Sequence, residues 1–259
     1  MRIVIKVGTS TLAYSTGNLN IRHMETLCKV ISDIKNAGFE VILVSSGAVG
    51  MGMGKLSLSE RPRELTLKQA AAAVGQCELM YTYDKLFSEY NHTVAQILIT
   101  GEDIEHAERS RNFENTILRL LELGAIPIIN ENDSVATNEI VIGDNDTLGA
   151  IVAKSIKADL LILLSDIDGL FTADPHKDKN AVLLSEVKEI TPEIEGMTGG
   201  AGSRLGTGGM TTKLNAAKIA TAAGVDMVIA NGKEPTVLYD ITEGKMVGTK
   251  FLSRKAENQ

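Results

Sequence analysis

RIVIKVGTSTLAYSTGNLNIRHMETLCKVISDIKNAGFEVILVSSGA, residues 2–48, decides the fold class. Residues 2–6 alternate into β-branched side chains and run into Val7-Gly8-Thr9-Ser10, a strand followed by a glycine-containing turn. Asn20 reads as the N-cap of a helix over 21–37, because its short side chain can accept from the free amides of a first turn. Met24, Leu27, Cys28, Ile31 and Ile34 share one face at helical spacing, and Gly38 stops the helix. Residues 40–44 then form an apolar strand that empties into Ser45-Ser46-Gly47-Ala48. Strand, helix and strand in that order imply a parallel pair with a right-handed crossover.

Outward from this unit the alternation continues. Residues 50–64 are rich in glycine and arginine, contain Pro62 and read as a loop. Residues 67–89 are alanine-rich and helical, with a break expected near Gly75. A third strand is expected over 93–99, and an amphipathic helix over 109–123 (Phe113, Ile117, Leu120, Leu121) stopped by Gly124. Residues 126–129 give a fourth strand, 147–156 a short helix, and 159–164 an apolar strand emptying into Ser165-Asp166. Residues 174–209 are polar and glycine-rich without periodicity, and read as a lid or small lobe. A helix over 211–223 and a last core strand over 225–230 follow, with a frayed tail from Ser253. The expectation is an α/β fold: a three-layer α/β/α sandwich around a mainly parallel sheet, one domain over 1–259.

Composition narrows the function. The chain has 259 residues, 44% hydrophobic and 23% charged, as in an ordinary globular protein able to bury a large core. A net charge of −7 argues against a nucleic-acid surface, so any phosphate site must gather its lysines locally. Cys28 and Cys77 form no Cys-x-x-Cys pair, which suggests a reducing compartment and no structural metal. MRIVIKVGTS lacks a signal-peptide core and no apolar run reaches membrane-spanning length, so a cytoplasmic protein is expected.

Several familiar motifs fail on inspection. Gly50–Lys55 lacks both the glycine spacing of a Walker loop and the hydroxyl after its lysine, where Leu56 stands. No Gly-x-Gly-x-x-Gly follows a strand, and Ser46 has Val44 where a nucleophile elbow needs glycine. The histidines (His23, His92, His106, His176) have neither metal spacing nor a triad partner.

Three features remain. Lys6 ends a central strand, where an ammonium is costly unless it meets an anion; Gly8-Thr9-Ser10 just after it favours an anion site over an edge lysine reaching solvent. Gly206-Thr207-Gly208-Gly209-Met210-Thr211-Thr212-Lys213 offers close backbone approach, a helix start and a full positive charge, against the plain alternative of a flexible linker. Asn130-Glu131-Asn132-Asp133 and Asp144-Asn145-Asp146 bring carboxylates and amides to the same sheet edge. They could bind a substrate ammonium and orient lysines, hold a divalent metal, or form a solvated acidic loop.

Together these segments resemble the amino-acid kinase family over almost the whole chain. The resemblance rests on Lys6–Ser10, Val44–Ala48, the Asn130–Asp133 run, Gly143–Asp146, Asp168-Gly169-Leu170-Phe171-Thr172-Ala173-Asp174-Pro175 and Gly206–Lys213. Asp168–Pro175 is shared by several kinases of the superfamily and specifies the nucleotide side only. The Asn-Glu-Asn-Asp run followed by Gly-Asp-Asn-Asp is particular to members that phosphorylate glutamate. The resemblance implies that Lys6 and Lys213 contact the transferring phosphoryl group, with Asp146 holding both. It places glutamate at Ser46, Asp133 and Asn145, and ATP at Lys6, Gly8, Ser165, Asp166, Thr207, Gly208, Gly209, Met210, Thr211, Thr212 and Lys213. Glu131 and Asp144 receive no role beyond loop support. The implied reaction is transfer of the γ-phosphate of ATP, with Mg²⁺ carried mainly by the phosphates, to the γ-carboxylate of L-glutamate. Its acyl phosphate product feeds proline synthesis in the family. The resemblance also implies feedback inhibition by proline and a homo-oligomer. Many relatives carry a C-terminal PUA domain, which this chain is expected to lack. Runner-up acceptors within the family are aspartate, N-acetylglutamate and uridylate; from other classes, a non-catalytic amino-acid sensor and a Rossmann oxidoreductase remain as alternatives.

Overall fold

The computed structural model describes residues 1–14, 18–135, 144–175, 177–197 and 209–253. In chain order the first half contains β1 (Arg2–Val7), α1 (Thr9–Leu12), α2 (Ile21–Asn36), β2 (Glu40–Ser45), α3 (Ala48–Lys55), α4 (Leu65–Ser88), β3 (Val94–Ile99), α5 (Gly101–Glu105), α6 (Ala107–Glu122) and β4 (Ile126–Glu131). The second half contains α7 (Asn145–Ser155), β5 (Leu160–Ser165), β6 (Glu186–Val187), α8 (Pro192–Gly196), α9 (Met210–Ala222), β7 (Asp226–Asn231), α10 (Val237–Thr242) and β8 (Thr249–Phe251).

The strands form one sheet in the order β3-β4-β2-β1-β5-β7-β8-β6, parallel throughout except for the β7–β8 pair. Helices cover both faces, which gives the expected three-layer α/β/α sandwich. β1 sits mid-sheet, with Lys6 in register with Val44 on one side and Leu163 on the other. Period-two alternation then sorts its side chains. Ile3, Ile5 and Val7 join Leu27, Ile31, Leu79 and Phe87 of α2 and α4 on one face. Val4 joins Ile117, Val152 and Ala217 of α6, α7 and α9 on the other. Lys6 therefore points to the face of α7 and α9. Gly149 of α7 makes room for its stem, since a Cβ there would lie 3.5 Å from Lys6 Cβ.

The local signals read from sequence operate as expected at several ends. Asn20 accepts from the His23 amide at 3.2 Å, and Gly38 and Gly124 follow their helices at φ of 96° and 77°. Three expectations need correction. The loop expected over 50–64 begins as helix, because α3 runs from Ala48 to Lys55. α4 is continuous through Gly75, which marks a close helix crossing and not a break. The strand over 225–230 is not the last in the sheet: β8 returns antiparallel beside it and carries β6 on its outer edge. Within 174–209, β6 and α8 are formed, while residues 176 and 198–208 lie outside the described residues.

Candidate active site

All the parallel strands of the sheet centre deliver their C-terminal ends to one edge, where open α/β sheets place their ligands. β1 brings Lys6 there, β2 brings Ser45-Ser46, β4 brings Asn130 and Glu131, and β5 brings Ser165. Two helices start at the same edge. α7 begins directly after Asp144, whose side chain caps it by accepting from the Thr147 amide at 2.8 Å and the Thr147 hydroxyl at 2.9 Å. That cap is the role the sequence reading left open for Asp144. It fixes Asn145 and Asp146 in the first turn, where a carboxylate also meets the positive end of the helix dipole.

Asp146 joins the two ends of the chain. Its Oδ1 lies 2.6 Å from Lys6 Nζ as an ion pair, and its Oδ2 accepts from Lys213 Nζ at 3.1 Å and from the Thr212 hydroxyl at 2.9 Å. Asp146 is 1% exposed, Lys213 5% and Lys6 8%. Burial pushes the Asp146 carboxyl up, but the Lys6 and Lys213 ammoniums more than offset it and hold the group down at about 2. The three charges sum to one net positive unit, held by packing and not by solvent. Such a pair of cations can neutralise a phosphoryl group brought against them.

Beside this triad lies a run of amides. Asn145 Nδ2 donates to Ser46 Oγ at 2.6 Å and to Asn130 Oδ1 at 3.2 Å. Asn130 Nδ2 donates to Gln76 Oε1 at 2.9 Å, and the Glu131 amide donates to Asn130 Oδ1 at 2.9 Å. Ser45 Oγ and the buried Tyr83 hydroxyl are 2.8 Å apart. Asp133 forms the outer boundary, with Lys68 Nζ 3.7 Å from its Oδ1. Burial raises the Asp133 carboxyl against the opposing pull of Lys68 and Arg61. Asn130, Gln76, Lys68 and Tyr83 are site residues to which the sequence reading gave no task. Asn130 sits inside the quoted polar run, whereas three of the four are distributed along α4 and carried no local motif.

The described residues read as nucleotide-binding stand at the ends of β1 and β5 and at the start of α9. Gly8 opens α1, and a Cβ there would lie 3.6 Å from Lys6 Nζ. Ser165 accepts from the Gly232 amide at 2.7 Å through its carbonyl and donates to Asp166 at 3.2 Å through its hydroxyl. Gly209 precedes α9, whose first turn holds Met210, Thr211, Thr212 and Lys213. Asn231, at the end of β7, donates to Asp168 at 2.7 Å and is a neighbour the sequence reading did not single out. Thr207 and Gly208 lie outside the described residues. Thus Lys6, Asp146, Lys213, Ser46 and Asn145 converge directly, Asp133 flanks them, Gly8 and Gly209 border the triad, and Ser165 and Asp166 stand at the end of β5 beside β1.

Among the described residues no group of three or more His, Cys, Asp or Glu could hold a metal ion. Both Asp146 oxygens are committed to ammoniums, so a magnesium ion fits here as cargo of nucleotide phosphates and not in a cage of protein carboxylates. Among the described residues no helix is long and apolar enough to cross a membrane.

The family described as "Amino acid kinase family" matches residues 1–231. The chain is similar to a glutamate 5-kinase from Clostridium perfringens, 54% identical over 260 residues and covering 99% of this chain and 97% of that protein. A glutamate 5-kinase from Clostridium tetani is 56% identical over 253 residues, covering 98% and 95%. Carbamate kinase from Giardia lamblia bound to AMP-PNP shares the fold with a TM-score of 0.70 at 17% identity, covering 97% of this chain and 98% of that one. Isopentenyl phosphate kinase from T. acidophilum gives 0.67, also at 17% identity, covering 97% and 100%. At that identity the two structures speak for the fold alone.

Proposed function

The chain belongs to the amino acid kinase family, and on that premise we propose that it transfers the γ-phosphoryl group of ATP to the γ-carboxylate of L-glutamate, giving L-glutamyl 5-phosphate. The observation that carries this reading is the buried Lys6–Asp146–Lys213 arrangement with the Ser46–Asn145 pair beside it. The acceptor carboxylate is already ionised near neutral pH, so the reaction needs no general base. A carboxylate oxygen forms the new bond to γ-phosphorus, and the bond to the bridging oxygen of ADP breaks. What the enzyme must supply is alignment and neutralisation of the negative charge spread over the phosphoryl oxygens.

In this reading Lys6 and Lys213 take those oxygens, and Asp146 keeps both ammoniums in position. Ser46, Asn145 and Asp133 hold glutamate, with the Asp133 carboxylate facing its ammonium. Gly8, Ser165, Asp166 and the segment Thr207–Lys213 hold ATP, and Mg²⁺ arrives on its phosphates. Residues 174–209 act as a lid or small lobe of one kinase domain. The acyl phosphate would serve proline synthesis. Proline, which shares glutamate's α-carboxylate and ammonium, would inhibit near Asp133 and Asn145. A homo-oligomer is expected, and the exposed apolar side chains of Leu67, Val74 and Tyr81 on α4 (39%, 39% and 64% exposed) offer contact area to a second copy of the chain. A cytoplasmic location fits a soluble biosynthetic enzyme.

The test is hydroxylamine trapping with ATP, Mg²⁺ and L-glutamate, which should yield the hydroxamate together with ADP. Hydroxamate from aspartate or N-acetylglutamate but not from glutamate would overturn the substrate assignment.

A further inference from the structure

The amide run beside the triad has a direction, and the direction can be worked out from a group that cannot rotate. The Glu131 backbone N–H must donate, so the atom facing it on Asn130 is the carbonyl Oδ1. The Asn145 atom that faces the same Oδ1 must then be Nδ2, whose second hydrogen goes to Ser46 Oγ. With both hydrogens of Nδ2 used, Asn145 has its carbonyl Oδ1 left to offer as an acceptor. At the other end, Asn130 Nδ2 donates to Gln76 Oε1 at 2.9 Å. Gln76 is 8% exposed and Asn130 2%. Gln76 Nε2 is buried with no hydrogen-bond partner.

A buried amide that uses its oxygen and wastes its nitrogen contributes poorly to stability. Its value must lie in the one bond it makes. We infer that Gln76 is a positioning residue: the Glu131 amide sets the polarity of the Asn130–Asn145–Ser46 relay, and Gln76, by accepting from Asn130 Nδ2, holds the Asn130 side chain in the place that relay needs. That polarity turns the Asn145 carbonyl toward the substrate ammonium and leaves the Ser46 hydrogen to donate to a carboxylate. The inference deepens the glutamate reading and rests on it. Tyr83, two turns further along α4, reaches Ser45 in the same way, so one helix buttresses both walls of the acceptor pocket.

The experiment measures KM for glutamate, KM for ATP and thermal stability in the wild type, Gln76→Met and Gln76→Glu. Gln76→Met keeps the length and loses the acceptor, whereas Gln76→Glu keeps an oxygen for Asn130. Gln76→Met should raise KM for glutamate about tenfold, the scale of one net hydrogen bond, with KM for ATP and Tm nearly unchanged. Gln76→Glu should recover most of the loss. Gln76→Leu replaces the methionine variant should that one not fold. A rise in both KM values together with a fall in Tm, no change in any of them, or a glutamate variant as impaired as the methionine one would each overturn the role. If the wild type itself does not turn over glutamate, the acceptor assignment fails first and this role with it.

Discussion

Gly75 of α4 lies against Gly52 of α3 with no room between them: a Cβ on Gly75 would stand 2.4 Å from the Gly52 nitrogen and 1.7 Å from the Ala48 carbonyl oxygen. Reciprocally, a Cβ on Gly52 would meet the Ala71 carbonyl oxygen at 1.8 Å. The helices touch backbone to backbone, and α3 starts just after Ser46-Gly47, so this crossing fixes the height of the substrate loop. Gly75→Ala gains about 1 kcal/mol of helix propensity. It must still force the helices apart, at a cost of about 1–3 kcal/mol or more. Thermal unfolding should show a Tm several degrees lower, and KM for glutamate should rise because Ser46 moves with α3.

Asp146→Asn leaves the Lys6 and Lys213 ammoniums buried without a counter-charge. Breaking a buried pair from one side costs about 3–5 kcal/mol. Bound nucleotide returns negative charge to the same place, so ATP should raise the Tm of the variant more than that of the wild type. Equal shifts in the two proteins would show that the phosphates do not reach these lysines.

The same carboxylate makes stability depend on acid in a defined direction. The Asp146 carboxyl sits at about 2 in the folded protein against an ordinary value of 3.8. A depressed folded value means that the stabilisation, about 2 kcal/mol, is complete above pH 4 and disappears as pH falls toward 2. Asp133, raised by burial, works with the opposite sign. Acid titration of unfolding should therefore be shallower in Asp146→Asn than in the wild type over that window.

Lys213→Ala separates an enzyme from a sensor. Turnover should fall by orders of magnitude, since one of two charges facing the transferring group is gone. Glutamate binding, followed by calorimetry, should survive, because the amide run does not include Lys213. Retained turnover would remove Lys213 from the chemistry.

Asp144→Ala removes the α7 cap and should cost about 1 kcal/mol. Because Asn145 and Asp146 occupy the turn it secures, activity should fall further than stability alone explains. Asp144→Ser, which can still accept from the Thr147 amide, should restore both.

The sequence was most legible where chemistry is local. The strand ends, the glycine stops after α2 and α6, and the polar run after β4 announce themselves by composition, and Lys6 and Asp146 stand out because charge is costly at such positions. α3 was obscured by glycines whose purpose is helix contact, since Gly52 and Gly75 look like breakers until the partner helix is in view. Gln76, Tyr83 and Lys68 were invisible for another reason. Their tasks lie across the fold, 54 residues away for the Gln76–Asn130 bond and 38 for the Tyr83–Ser45 contact. The short β8 was missed because three residues carry too little pattern to signal a strand.

The buried triad is one positive charge inside a chain of net charge −7. A magnesium-bound nucleotide approaching from solution, still a dianion, therefore meets repulsion at distance and attraction only on arrival. Added salt, which screens the far field over about 10 Å at 0.1 M and leaves a desolvated pocket nearly untouched, should quicken the encounter with ATP. Most phosphate-binding surfaces, being basic throughout, slow down under the same treatment.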